Sequence, residues 1–211
     1  MPGFFVQNFG CRATQADGAA LERQLASLGL RPSDSELEAD VVVLNTCTVT
    51  AAADQDARAA IRRIHRENPE ARIIVTGCYA QRAPQEVASL PGVAWVVGNS
   101  HKHQIASIAA ASFLQEDRRW DGVSLNQPSA ENTFSPNFVS LEAIALSAPA
   151  FTLVGDIFAH TELIAAPVFF SDSIAEKTRP NLKVQDGCDN RCSFCIIPSV
   201  RGQSRSMKLD R

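Results

Sequence analysis

No part of this 211-residue sequence stays apolar for long. Its most hydrophobic stretch, Ala143 to Phe158, is broken by Pro149 and Asp156. It falls short of the roughly 20 apolar residues that cross a bilayer, so a membrane protein is not expected. The start, Met1-Pro2-Gly3-Phe4-Phe5, lacks the basic cluster of a secretory signal and runs straight into a strand pattern. A reducing cytoplasm, in which thiols stay free for metals, is the expected setting. Formal net charge is only −3, which gives no global pull toward nucleic acid. Histidine is scarce as well: there are four, with none after His160, and no cysteine follows Cys195. These two shortages limit which metal sites the C-terminal part can build.

The six cysteines fall into two groups of three: Cys11, Cys47 and Cys78, then Cys188, Cys192 and Cys195. The second group is compact, Cys188-Asp-Asn-Arg-Cys192-Ser-Phe194-Cys195, and supplies three thiolates without a fourth ligand. A structural metal site fills every position, whereas a site built for chemistry leaves one open. A zinc knuckle would ask for another Cys or His at close spacing. Three thiolates on a 4Fe–4S cluster leave one iron free. The spacing, with aromatic Phe194 before the last cysteine, resembles the signature of the radical S-adenosylmethionine enzymes. In those enzymes the free iron takes S-adenosylmethionine through its amino and carboxylate groups.

The first 115 residues repeat one unit of apolar run, loop and amphipathic helix. Strands are expected at Phe4–Phe9, Val41–Leu44, Arg72–Thr76 and Ala94–Val97. Helices are expected at about Gln15–Leu28, Ala51–Glu67, Ala83–Leu90 and His101–Phe113. Strands alternating with helices imply an α/β fold with an open, mostly parallel sheet and helices on both faces. Cys11, Cys47 and Cys78 each come just after a strand. Loops leaving the carboxyl ends of parallel strands share one edge, where ligands bind. Gly10 and Gly77, directly before two of the thiols, suit close backbone approach to a bulky group. Three buried core thiols are the competing reading. Residues 116–177 break the alternation and read as a spacer. A strand returns at Leu182–Gln185, with the second triplet in the loop that leaves it, as at the start of a (β/α) barrel. A barrel needs more chain than remains to Arg211, so a C-terminal truncation is expected. The organisation is then an N-terminal domain at 1–115, a spacer at 116–177 and the incomplete start of a radical S-adenosylmethionine domain at 178–211.

Four segments carry a closer resemblance: Phe9-Gly10-Cys11-Arg12, Asn45-Thr46-Cys47-Thr48-Val49-Thr50, Val75-Thr76-Gly77-Cys78-Tyr79-Ala80-Gln81 and Val184-Gln185-Asp186-Gly187-Cys188. Together they resemble the radical S-adenosylmethionine methylthiotransferases. Thr-Val-Thr after Cys47, Cys-Tyr-Ala-Gln at Cys78 and Val-Val-Gly-Asn-Ser at Val96–Ser100 look most like the branch acting on N6-threonylcarbamoyladenosine of tRNA. The other branches act on isopentenyladenosine of tRNA or on an aspartate of a ribosomal protein. The resemblance implies two 4Fe–4S clusters: an auxiliary one held by Cys11, Cys47 and Cys78, and one held by Cys188, Cys192 and Cys195 that binds S-adenosylmethionine beside Phe194. It also implies a tRNA anticodon loop as partner and an electron donor such as flavodoxin or ferredoxin. No catalytic side chain beyond the cluster ligands is implied. One departure is Thr14, which stands where the family usually carries Asn. A non-catalytic iron–sulfur binding module and a pair of structural zinc sites are the competing functions.

Other residues weigh less. Arg58, Arg62 and Arg66 share one helix face, which is either simply solvated or touches an RNA backbone. Asp186 and Asp189 read as caps of the loop backbone, and Asp17 as a partner of the helix dipole. Arg201 and Gly202 read as approaching a cofactor or lying in a solvated loop. His101 and His103 are expected to point apart from a helix start, which argues against a metal pair.

Overall fold

A computed structural model describes residues 1–117, 150–159 and 183–206. Strand β1 (Gly3–Asn8) leads into helix α1 (Arg12–Ser27) and a two-residue strand β2 (Arg31–Pro32). Then come β3 (Val41–Thr46), α2 (Ala51–Glu67), β4 (Arg72–Gly77), α3 (Cys78–Arg82), α4 (Pro84–Ala88) and β5 (Val93–Val97). A 3-10 helix (Asn99–Gln104) runs into α5 (Ile105–Asp117), and β6 (Phe151–Leu153) completes one six-stranded sheet. Its order is β2-β1-β3-β4-β5-β6, and every pairing is parallel.

Alternation along the strands decides the two faces. Val41 and Val43 of β3 pack with Phe4, Leu21, Leu25, Ile105 and Ala109, beneath α1 and α5. Val42 and Leu44 pack with Ala57, Ile61 and Ile64 of α2 and Val87 of α4. With both faces covered, Val41–Leu44 can be uniformly apolar and wholly buried. The expected α/β architecture with helices on both faces is therefore the one observed.

Local chemistry moves several boundaries. Helix α1 starts at Arg12 because Cys11 takes the extended conformation of an N-cap. Helix α2 runs as expected: Thr50 Oγ1 accepts from the Ala53 N–H at 3.2 Å, and the helix ends where Pro69 follows. The helix expected at Ala83–Leu90 is α4, and an unexpected short helix, α3, precedes it; Pro84 has no N–H to continue α3 and instead opens α4 at its first position. Segment 116–177, expected as spacer, supplies β6 to the sheet edge; its other residues lie outside the described ones, except 150, 154–159 and the end of α5.

The strand expected at Leu182–Gln185 differs most, and Leu182 lies outside the described residues. Among those described, only β7 (Gln185–Asp186) is extended, and it pairs antiparallel with β8 (Arg205–Ser206) across the short helix α6 (Ile197–Arg201). The apolar pattern misleads here: Lys183 is buried while Val184 is 60% exposed, the reverse of a core-facing strand. The barrel start expected from the sequence is represented among the described residues by this ribbon alone.

Candidate metal centre

The first three thiols arrive at one edge because three adjacent parallel strands end there. Cys11 caps α1 after β1, Cys47 follows β3, and Cys78 opens α3 after β4. Side chains lock these strand ends together. The Asn45 amide donates to Asn8 Oδ1 at 3.0 Å and to the Thr14 carbonyl at 2.7 Å, fixing the first turn of α1. Arg82, one turn beyond Cys78, donates to Thr48 Oγ1 and Asp54 Oδ2, each at 2.7 Å. The loop of Cys47 is thereby held against the helix of Cys78.

Two glycines make the approach possible. At Gly10 (φ +93°) a side chain would put Cβ 2.4 Å from Cys47 Cβ and 2.7 Å from its Sγ. At Gly77 (φ +99°) a Cβ would sit 2.2 Å from the Thr46 carbonyl oxygen. Only glycine takes these left-handed conformations without strain and leaves room for the neighbouring strand.

Cys47 and Cys78 are buried, whereas Cys11 is exposed. The hydrogen bond from Cys47, opposed by burial and aided by Thr14, pulls the Cys11 thiol down to about 4. The same bond, with burial, pushes the Cys47 thiol up. Cys11 Sγ also lies 3.4 Å from Thr14 Oγ1. Cys78 Sγ instead accepts from the Asn99 amide at 3.7 Å. Among the described residues no three Cys, His, Asp or Glu side chains converge as a metal-binding group. The first trio meets through Cys11 and Cys47, with Cys78 turned toward Asn99.

The second triplet occupies a turn outside the sheet. The Cys195 N–H donates to the Cys192 carbonyl at 3.1 Å, and the Cys188 N–H to the Gly202 carbonyl at 3.1 Å. Cys192 is exposed, Cys188 and Cys195 are half-buried, and Phe194 is 93% exposed beside them. The turn stays open on its outer side.

Between the two sets lies a buried ionic cluster. Asp17 of α1 accepts from Lys102 Nζ at 3.0 Å, Lys183 Nζ at 2.6 Å and an Arg201 nitrogen at 3.1 Å. Asp186 accepts from Lys183 at 2.8 Å and from Arg201 at 2.8 Å. Burial alone would raise both carboxyls, but the surrounding Lys and Arg charges outweigh it and hold them below the usual carboxylate range. With Arg205 also 4.0 Å from Asp186, four cations among the described residues face two carboxylates, and Lys102 and Arg201 interact electrostatically with Cys78.

Comparison with known proteins then bears on this arrangement. The family described as uncharacterized protein family UPF0004 matches residues 3–98, the stretch that delivers the first three thiols. The threonylcarbamoyladenosine tRNA methylthiotransferase MtaB of Aquifex aeolicus is 34% identical, over 97% of this chain and 42% of its own length. The ribosomal protein uS12 methylthiotransferase RimO of Roseiflexus castenholzii is 30% identical, over 97% and 40%. A tRNA-2-methylthio-N(6)-dimethylallyladenosine synthase of Methylacidiphilum infernorum is 27% identical, over 100% and 39%. These similarities, over nearly the whole chain, fit the methylthiotransferase family. The chain spans about two fifths of the length of these relatives.

Several sequence expectations need correction. Asp17 does not serve the dipole of its own helix; it anchors the buried cluster. Arg201 is neither solvated nor free for a ligand, since both carboxylates hold it at 4% exposure. Asp186 does cap the Gly187 N–H at 3.0 Å, and Asp189 caps that of Ser204 at 2.9 Å, but Asp186 also belongs to the cluster. The rings of His101 and His103 stack with centroids 6.4 Å apart, because a 3-10 turn sets alternate residues closer in angle than an α turn. Of the arginine stripe, Arg58 bridges Tyr79 and Glu86 and Arg66 pairs with Glu67, while Arg62 stays exposed. Thr14, at the position of the family's Asn, uses its hydroxyl on Cys11. Sequence reasoning missed Lys102, Lys183 and Asn99, whose partners are distant in the chain. The only hint was a lysine inside an apolar-looking strand at Leu182–Gln185.

Proposed function

We propose that this chain is the N-terminal part of a tRNA methylthiotransferase that places a methylthio group on N6-threonylcarbamoyladenosine beside the anticodon. The observation that carries the reading is the delivery of Cys11, Cys47 and Cys78 to one edge by successive parallel strands, with a second thiol triplet docked against it. The 31–34% identity to relatives named for threonylcarbamoyladenosine, against 27–30% for those named for the other substrates, supports that branch. The N-terminal domain at 1–115 would hold an auxiliary cluster, and 178–211 would begin the radical S-adenosylmethionine domain.

The residues fit two 4Fe–4S clusters in donor chemistry. Each set is all-thiolate and lacks a fourth ligand, the glycine at position 10 leaves space against Cys47, and buried positive charge beside Cys78 suits an anionic group. Cys11, Cys47 and Cys78 would hold one cluster; Cys188, Cys192 and Cys195 the other, with S-adenosylmethionine beside Phe194. When bound, these groups would supply one-electron chemistry, the sulfur to be inserted and the methyl group. The chain's own part is to bind, orient and release protons. Thiolates are the ligating form, so Cys11, Cys47 and Cys78 would give up their thiol protons on binding. The Asn99 amide orients Cys78 Sγ, and Thr14 Oγ1 orients Cys11 Sγ. The tRNA anticodon loop and an electron donor such as flavodoxin or ferredoxin would be the partners, in the cytoplasm.

The test is nucleoside analysis by mass spectrometry of tRNA from source cells with and without the gene. Loss of 2-methylthio-N6-threonylcarbamoyladenosine on deletion supports the reading. Loss of the isopentenyl counterpart, or of a modified ribosomal protein instead, reassigns the substrate.

A further inference from the structure

The geometry points to Asp17 and Asn99 as positioning residues that hold the turn of Cys188, Cys192 and Cys195 in register with the edge of Cys11, Cys47 and Cys78. The inference rests on the reading of both thiol sets as cluster ligands, and it assigns the residues that set their mutual placement.

The ties between the two parts gather where the thiols are. Asp17 lies in α1, less than two turns beyond Cys11, and takes both Lys183 and Arg201 from the C-terminal segment as well as Lys102 from its own domain. Arg201 ends α6, the helix that begins two residues after Cys195. The next residue, Gly202, receives the Cys188 N–H at 3.1 Å. Asn99 spans the junction directly: one amide nitrogen donates to Cys78 Sγ at 3.7 Å and to the Val200 carbonyl at 2.8 Å. From Cys78 to the helix that follows Cys195 there is thus one side chain. From the helix capped by Cys11 to the residue beside Gly202 there is one carboxylate.

Such a junction is poorly explained as a stabiliser. Buried ion pairs gain little over well-packed apolar side chains of similar size, because both charges must be desolvated. What they offer is direction. Asp17 sits at 1% exposure with three cations at fixed distances, and Asp186 repeats two of those contacts from the other side. A sliding apolar contact would tolerate a shift of the turn; this set of contacts would break.

The test uses the full chain, both metal-free and after anaerobic loading with ferrous iron and sulfide. Variants are Asp17→Asn, which keeps shape and removes the charge, Asp17→Glu, which keeps the charge, and Asn99→Ser. Hydrogen exchange of the metal-free chain is read over 196–206 and over β3 and β4. Asp17→Asn and Asn99→Ser should speed exchange in 196–206 by about tenfold or more while leaving the strands protected, and Asp17→Glu should restore part of it. In the loaded, reduced chain the parent should show an electron-spin interaction between the two clusters, and Asp17→Asn should keep its iron but lose that interaction. Unchanged exchange over 196–206 overturns the inference, and so does equal acceleration in β3 and β4, which marks a merely structural role. If Asp17→Asn does not fold, Asn99→Ser decides alone. A parent chain that takes up no iron overturns the cluster reading instead, and the exchange result still decides the docking.

Discussion

Replacing Gly10 by alanine should separate the two thiol sets experimentally. The added Cβ would stand 2.4 Å from Cys47 Cβ and 2.7 Å from Cys47 Sγ. Carbon atoms ordinarily approach to about 3.5–4.0 Å, so Cys47 or the β1–α1 loop must move by about 1 Å or more. Overpacking of this kind costs about 1–3 kcal/mol. The backbone at φ +93° adds about 1–2 kcal/mol for a residue with a Cβ. Together the cost is about 2–5 kcal/mol, located at the first trio. Gly29→Ala is the matched control, since Gly29 has φ +86° and nothing within 4 Å of its Cβ position. It should lose only the backbone share, about 1–2 kcal/mol. The assay is urea unfolding of the metal-free chain beside iron and sulfide content after anaerobic reconstitution. Gly10→Ala should bind about half the parent's iron, and Gly29→Ala all of it. Equal stability of the two variants, with full iron in both, would refute the claim that Gly10 makes room for the thiol pair.

Two further outcomes are expected. Cys192→Ala and Cys47→Ala should each lower the iron and sulfide load by about half, and the double variant should lower it almost wholly; a single variant that keeps its full load removes that set from the ligand assignment. The acid response follows from Asp17 and Asp186, whose carboxyls sit below their ordinary value of 3.8 in the folded chain. A depressed carboxyl contributes stability that is whole above its unfolded value and is lost as pH falls through the folded one. The melting temperature should therefore not change with pH on account of this pair between pH 7 and about 4, where its contribution is whole, and should drop below that, with a smaller drop in Asp17→Asn. A decline already complete by pH 5 that Asp17→Asn abolishes would contradict the sign.

Much of the α/β domain was readable because its cause is local. The run Val41-Val42-Val43-Leu44 announces a strand covered on both faces, and Thr50 and Pro69 mark the ends of α2. Cys11, Cys47 and Cys78 could be placed at one edge from topology alone, since parallel strands deliver their following loops to the same side. The segment from Lys183 onward was misread for the opposite reason. Its lysine is buried between two counter-charges, Asp186 close by and Asp17 some 166 positions earlier. No period of hydrophobicity encodes such a pair.

Residue types and spacing therefore carry the chemistry of this chain: six thiols, in two sets that each stop at three. Which thiols touch is a matter of space. The hydrogen bond of Cys47 to Cys11, the turn of Cys78 toward Asn99 and the grip of Asp17 on Arg201 all depend on where the sheet, α1 and α6 come to rest. Hydrophobic pattern and helix caps act within a few residues and survive in a linear reading, whereas buried charges choose partners across the fold and emerge only once it has closed.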